Sequence, residues 1–130
     1  VGRSLNPAID LGQIEGGFVQ GMGWLTTEEL WWDETGRLKT HAPSTYKIPT
    51  SRDRPEHFNV QIWAADYNRE GTIHHSKAVG EPPLVLATCV HQAISDGLAS
   101  LVDYQQVPPL DAPATPEAIL NAIDDLRGAA

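Results

Sequence analysis

Five glycines fall within the twelve residues GQIEGGFVQGMG (Gly12–Gly23), along a stretch whose apolar residues Ile14, Phe18, Met22 and Leu25 recur at helical spacing. Each glycine inside a helix costs about 1 kcal/mol relative to alanine, so a helix carrying so many needs a compensating contact. The contact that only glycine permits is close approach: without a Cβ, another backbone or a flat ligand can lie directly against the helix. A helix from Gln13 onward, pressed against something, is therefore the first element expected of this chain.

The second informative stretch is SKAVGEPP (Ser76–Pro83). It sets one carboxylate, Glu81, between a flexible glycine and two prolines that stiffen the start of a long apolar segment. Proline belongs in the first turn of a helix, where its missing N–H has no intrahelical partner. A helix is expected over Leu84–Tyr104, with Val90, Ile94, Leu98 and Leu101 on one face.

Around these two elements the remaining segments read as follows. Residues 1–12 show no clear period, and Asn6-Pro7 is a turn signal. Leu30, Trp31 and Trp32 lead into Asp33-Glu34-Thr35-Gly36, a hairpin turn before Arg37–Thr40. His41–Thr50 is a loop. HFNVQIWAAD (His57–Asp66) alternates Phe58, Val60 and Ile62 against Asn59, Gln61 and Trp63, the pattern of a half-buried strand. Asn68–Gly71 makes a turn and Thr72–Gly80 an extended approach to Glu81. Residues 106–114 are a proline-rich linker to a final helix over 115–127, opened by Thr115 as cap, Pro116 and Glu117. These elements predict an α+β fold, helices packed on a small mixed or antiparallel sheet, within one domain spanning residues 1–130.

Charge and composition exclude several partners. Acidic residues outnumber basic ones 17 to 9, a formal charge of −8. Nucleic-acid binding needs a basic stripe that is absent here, and an anionic membrane surface would repel the chain. No apolar run approaches a membrane span, and no signal peptide opens the sequence. The single cysteine, Cys89, gives no sign of an oxidising compartment, so a cytoplasmic location is expected. The opening VGRSLNPAID lacks an initiator methionine and reads like the middle of a larger domain, so a C-terminal fragment is expected.

Candidate site residues each have a simpler explanation beside the functional one. A glutamate at a helix N-terminus, as at Glu81, is accounted for by the helix dipole. Its apolar neighbours Val79, Pro82 and Pro83 point further, to a partly desolvated carboxylate whose pKa would suit a general base if burial outweighs the dipole. Gln13 carries both a donor and an acceptor, which suits the edge of a planar heterocycle or, more simply, a hydrogen bond at the helix end. Ser44, Thr45 and Tyr46 are hydroxyls on a proline-flanked loop, where turn chemistry suffices. His74 and His75 are adjacent, so in a strand they face opposite ways and do not share a metal; His41, His57 and His91 have no ligand-like spacing. No metal ligand is assigned. Cys89 is expected to pack inside its helix. There is no G-x-S-x-G for a hydrolase and no G-x-G-x-x-G after a strand.

Taken together, SLNPAIDLGQIEGGFVQGMG, THAPSTYKIP, SKAVGEPPLVLA and LDAPATPEAI resemble the C-terminal part of the molybdopterin-binding subunit of the xanthine dehydrogenase family of molybdenum hydroxylases. The blocks run in order from about Arg3 to about Asp125. The resemblance implies that Glu81 is the base that deprotonates a hydroxide on molybdenum, in the oxidation of hypoxanthine and xanthine to urate. It implies that Gln13 hydrogen-bonds the molybdopterin and that Lys77, Val79 and Gly80 line the metal site. FAD and [2Fe–2S] clusters would sit on other parts of the complex, since one cysteine cannot hold a cluster. Implied partners are the upstream part of the molybdopterin subunit, an iron–sulfur/FAD subunit and the purine substrate. The residues that grip the purine lie upstream in the family and are absent, so the isolated chain should be inactive. The competing readings are a related aldehyde or heterocycle oxidase, and a non-catalytic remnant that binds a partner subunit.

Overall fold

Asn6 sets the start of the longest helix. Its backbone is extended (φ −147°, ψ 94°) and its side-chain oxygen accepts the N–H of Ile9 at 3.3 Å, with Pro7 at the first helical position. A side chain short enough to cap, followed by a residue with no N–H to leave unsatisfied, is how a helix begins. The computed structural model, which describes residues 1–63 and 68–128, accordingly starts helix α1 (Pro7–Thr26) well before Gln13. Asp10 stands in the first turn, against the positive end of the dipole, and accepts a hydrogen bond from Ser4 Oγ at 2.6 Å. At the far end the N–H groups of Thr27 and Glu28 both close on the Gly23 carbonyl.

After α1 the described elements are a short 3-10 turn (Ile73–His75), α2 (Pro82–Leu86), α3 (Thr88–Ser100) and α4 (Pro116–Gly128). The single helix expected over Leu84–Tyr104 is broken at Ala87. Ala87 N–H bonds to Leu84 O and Val90 N–H to Ala87 O, the tighter i→i+3 pattern that turns α2 into α3. Ala87 is wholly buried, because this bend is seated on α1.

The expected arrangement of helices on a sheet is corrected. Among the described residues there is no strand, only two isolated antiparallel bridges, Gly2↔Ser76 and Trp32↔Leu38. The hairpin turn at Asp33–Gly36 does form, with Gly36 at φ 77° and Asp33 Oδ1 accepting from Thr35 N–H, Thr35 Oγ1 and Arg37 N–H. Its ladder stops after one bridge because Trp31 N–H turns to the Thr40 hydroxyl. Over 57–63 burial alternates as the pattern required, yet no described backbone pairs with it; the last three residues of that expected strand lie outside the described residues. Alternation reports the two faces of one strand. A sheet also needs a second backbone in register.

What core there is lies between α3 and α4. Leu98, Ala122 and Leu126 are buried, with Ile94, Val102, Leu110, Ile119 and Ile123 packed around them. Thr115 Oγ1 caps α4 by accepting Ala118 N–H at 3.1 Å, and Ala114 N–H donates to Leu25 O at 2.7 Å, which ties the entry of α4 to the end of α1. Among the described residues no large side chain is fully buried, while Trp24, Leu30, Trp31, Trp32 and Trp63 are at least half exposed. The accessible surface, 9595 Å², exceeds the ~6,800 Å² that a folded monomer of this mass exposes. Among the described residues, no helix is long and apolar enough to cross a membrane.

Candidate active site

The Glu81 turn is held by glycines on α1. Gln13, Gly17 and Gly21 follow one another at four-residue spacing and share one face of the helix. A Cβ on Gly17 would lie 3.1 Å from both the Gly80 carbonyl oxygen and Pro83 Cβ. One on Gly21 would strike the Leu84 carbonyl and lie 2.7 Å from Ala87 Cβ. The close approach that the glycines predicted is thus made, and what approaches is the chain's own segment Gly80–Ala87. At the top of the same face a Cβ on Gly80 would meet Gln13 Oε1 at 3.1 Å. The expected site residues Gln13, Gly80 and Glu81 are brought together in this way.

Glu81 sits at the N-terminus of α2 with helical dihedrals (φ −90°, ψ −43°) and makes no capping hydrogen bond with its side chain. It is exposed, not enclosed by Val79, Pro82 and Pro83 as the sequence pattern implied. Pro83 alone of that group is buried, against Gly17. The prolines thus stiffen the backbone under Glu81 and leave the carboxylate outside. Lys77 donates its N–H to Val1 O at 2.8 Å. Lys77 and Val79 line an apolar cavity of about 540 Å³ with Ile14, Ile62, Pro82 and Leu86 on the flank of the turn.

Other candidates fall elsewhere. Ser44, Thr45 and Tyr46 lie on a loop held at the opposite end of α1, roughly 15 Å along the helix from Gln13. There Thr27 Oγ1 donates to Lys47 O at 2.8 Å, and Tyr46 hydrogen-bonds Glu28. No sequence signal marks Glu28, a buried carboxylate that packs with Pro49 where a Cβ on Gly23 would be. Its hydrogen bond, followed by burial and the carboxylate charge, raises the Tyr46 hydroxyl above the ordinary tyrosine range. His74 and His75 adopt left-handed backbone (φ 55° and 56°) in the 3-10 turn. Cys89 is exposed, not packed within its helix. Nε2 of His91 is buried without a hydrogen-bond partner. Among the described residues no three His, Cys, Asp or Glu side chains gather as metal ligands.

The molybdopterin cofactor-binding domain family matches residues 1–55, the stretch that contains all of α1. Xanthine dehydrogenase/oxidase from Rattus norvegicus is 48% identical over 130 residues, which covers 96% of this chain and 10% of the relative. The protein of the same name from Gallus gallus is 50% identical over 128 residues, and xanthine dehydrogenase 1 from Arabidopsis thaliana 46% over 138. The chain is thus similar over nearly its whole length to xanthine dehydrogenases. It spans about a tenth of the length of these relatives. Among solved structures, quinoline 2-oxidoreductase from Pseudomonas putida 86 superposes with a TM-score of 0.77 at 31% identity, over 93% of this chain and 15% of that one. The Cu,Mo-CO dehydrogenase shares the fold, with a TM-score of 0.69 at 23% identity.

The family's pterin cofactor fits the residues present here. Gln13 is exposed, its carboxamide carries both donor and acceptor, and it stands over a glycine that leaves the approach clear. Gly12 and Gly16, on the adjoining ridge of α1, have nothing within 4 Å of where a Cβ would be, so this side of the helix is open to a flat group.

Proposed function

We propose that this chain is the part of a xanthine dehydrogenase-like molybdenum hydroxylase that supplies the catalytic base, Glu81, and one wall of the molybdopterin site. The observation that carries it is the seating of Gly80–Pro83 on the glycine face of α1, which sets the Glu81 turn beside Gln13. Bound molybdenum–molybdopterin supplies the two-electron oxidation that hydroxylates the substrate carbon. Gln13 holds the edge of the pterin through its carboxamide, and Lys77, Val79 and Gly80 flank the metal. Glu81 takes up a proton on its carboxylate as the substrate is attacked. Pro82 and Pro83 fix the backbone that carries it, so the carboxylate is positioned before the substrate arrives.

The substrate is a purine, hypoxanthine or xanthine, by likeness to relatives that cover almost the whole chain. Electrons leave through [2Fe–2S] clusters and FAD on other parts of the assembly, which works in the cytoplasm in purine catabolism. A second reading, hydroxylation of another nitrogen heterocycle, rests on the likeness to quinoline 2-oxidoreductase; a panel of purines and quinolines distinguishes the two. The deciding experiment is Glu81→Gln in the assembled enzyme. Turnover is expected to fall at least ~100-fold with molybdenum and pterin content unchanged. Retained turnover would remove the assignment of the base, and loss of cofactor would give Glu81 a structural role instead.

A further inference from the structure

Three stretches far apart in sequence meet at one carbonyl. The His75 oxygen accepts the N–H of Arg3 at 2.9 Å and that of Asn68 at 3.2 Å, and Lys77 N–H donates to Val1 O at 2.8 Å. Gly2 permits the crossing: its φ is 71°, and a Cβ there would strike the His75 carbonyl and lie 2.9 Å from Asn68 Cβ. The junction gathers three cations, Arg3, Arg69 and Lys77. All three are exposed, and none forms an ion pair with a described residue. Glu70 is the one carboxylate on residues 68–77. This local positive excess runs against the rest of the chain, whose formal charge is −8. Residues 78–126, which include the Glu81 turn, hold seven Asp and Glu and no Lys or Arg. The two signs meet at the cavity of about 540 Å³: Val1, Gly2 and Lys77 of the junction line it together with Pro82, Pro83 and Leu86 of the turn and α2. Its volume is enough for a bicyclic heterocycle.

We infer that Arg3, Arg69 and Lys77 form a cationic rim that draws anionic heterocycles, those with an ionised ring N–H, toward the Glu81 turn. The inference rests on the reading of Glu81 as the base of a molybdenum hydroxylase and deepens it. Each oxygen added to a nitrogen heterocycle makes its ring N–H groups more acidic, so the later substrates and the product of such an enzyme carry a charge that the first substrate lacks. An acidic surface alone would repel them, and a few unpaired cations beside the cavity reverse the local field. Exposed charges act over about 8 Å at physiological salt. The rim therefore works on encounter and affinity and leaves the chemical step to the residues of the site.

The test is equilibrium dialysis against the assembled enzyme, with urate as the probe that is an anion at neutral pH and hypoxanthine as the neutral one. The double variant Arg3→Gln/Arg69→Gln removes two charges and keeps the junction, to which Arg3 contributes its backbone N–H. Arg3→Lys/Arg69→Lys is the charge-conserving control. At low salt the glutamine variant is expected to bind urate about tenfold more weakly, the lysine variant to bind it like the unaltered enzyme, and hypoxanthine affinity to stay the same in all three. Raising the salt should weaken urate binding to the unaltered enzyme and narrow its difference from the glutamine variant. Urate binding that ignores the substitution, or a loss shared equally by hypoxanthine, overturns the inference. These affinities do not depend on turnover, so the rim and the assignment of Glu81 as base fail separately: one through dialysis, the other through Glu81→Gln.

Discussion

Gln13 and Gly80 meet although most of the chain lies between them: the Gln13 amide oxygen stands 3.1 Å from where a Cβ on Gly80 would be. The contact exists because α1 continues below Gln13 as Gly17 and Gly21, on which the segment around Pro83 and Ala87 is seated. A carboxamide and a glutamate turn are thereby held at a fixed offset by a helix face with no side chains of its own.

Gln13→Ala separates binding from folding. The side chain is exposed and caps nothing, and alanine is the better helix former by a few tenths of a kcal/mol. The melting temperature should not fall, while pterin retained through purification of the assembled enzyme should drop several-fold. Unchanged pterin content would take Gln13 out of the cofactor site.

The glycines of α1 should divide into two classes under substitution by alanine. At Gly21 the new methyl strikes the Leu84 carbonyl and Ala87, overpacking that costs ~1–3 kcal/mol. The ~1 kcal/mol gained in helix propensity offsets only part of it. At Gly16, where nothing lies within 4 Å, the propensity gain should stand alone and stabilise by up to ~1 kcal/mol. Denaturant unfolding of both variants checks this, and equal effects would mean that the glycine face does not seat α2.

Acid should loosen the hairpin turn in a defined window. The Lys39 ammonium 2.9 Å away, the Thr35 hydroxyl and the Arg37 and Thr35 N–H groups hold the Asp33 carboxyl at about 2, below its usual 3.8. A depressed value in the folded state means that these bonds stabilise the turn fully above pH 3.8 and are lost as pH falls through about 2. NMR titration should show the Thr35 and Arg37 amides shifting together in that window. An ordinary carboxylate midpoint would contradict the network.

Tyr46 should ionise later than an ordinary tyrosine. Its hydrogen bond to Glu28 raises the folded-state value above 10.0. The pair's contribution to stability is therefore complete below that pH and is lost as pH rises through the raised value. Spectrophotometric titration should show a phenol ionising late, and Glu28→Gln should bring it back toward the ordinary tyrosine range. A late phenol that survives this substitution would point to burial rather than to Glu28.

Much of this protein was legible in its sequence because the relevant physics is local. Glycine spacing announced a helix that something must approach, Pro82-Pro83 announced a stiff helix start, and Thr115-Pro116-Glu117 announced a capped one. The resemblance carried by four short blocks reached the right family. Local pattern also misled where the outcome depended on partners. Asn6-Pro7 read as a turn, though a side chain that can cap and a proline that needs no N–H acceptor begin a helix equally well. The alternation over 57–63 was real, but the sheet it implied requires a backbone that the described residues do not provide. Glu81 was expected to be buried from its apolar neighbours, yet a residue's burial is decided by what packs over it, and here only Pro83 faces α1. Tertiary structure alone decided that the glycine face seats Gly80–Ala87, that the long apolar helix breaks at Ala87 to fit there, and that Glu28 reaches Tyr46. Each depends on two segments distant in sequence meeting in space, which no local period encodes.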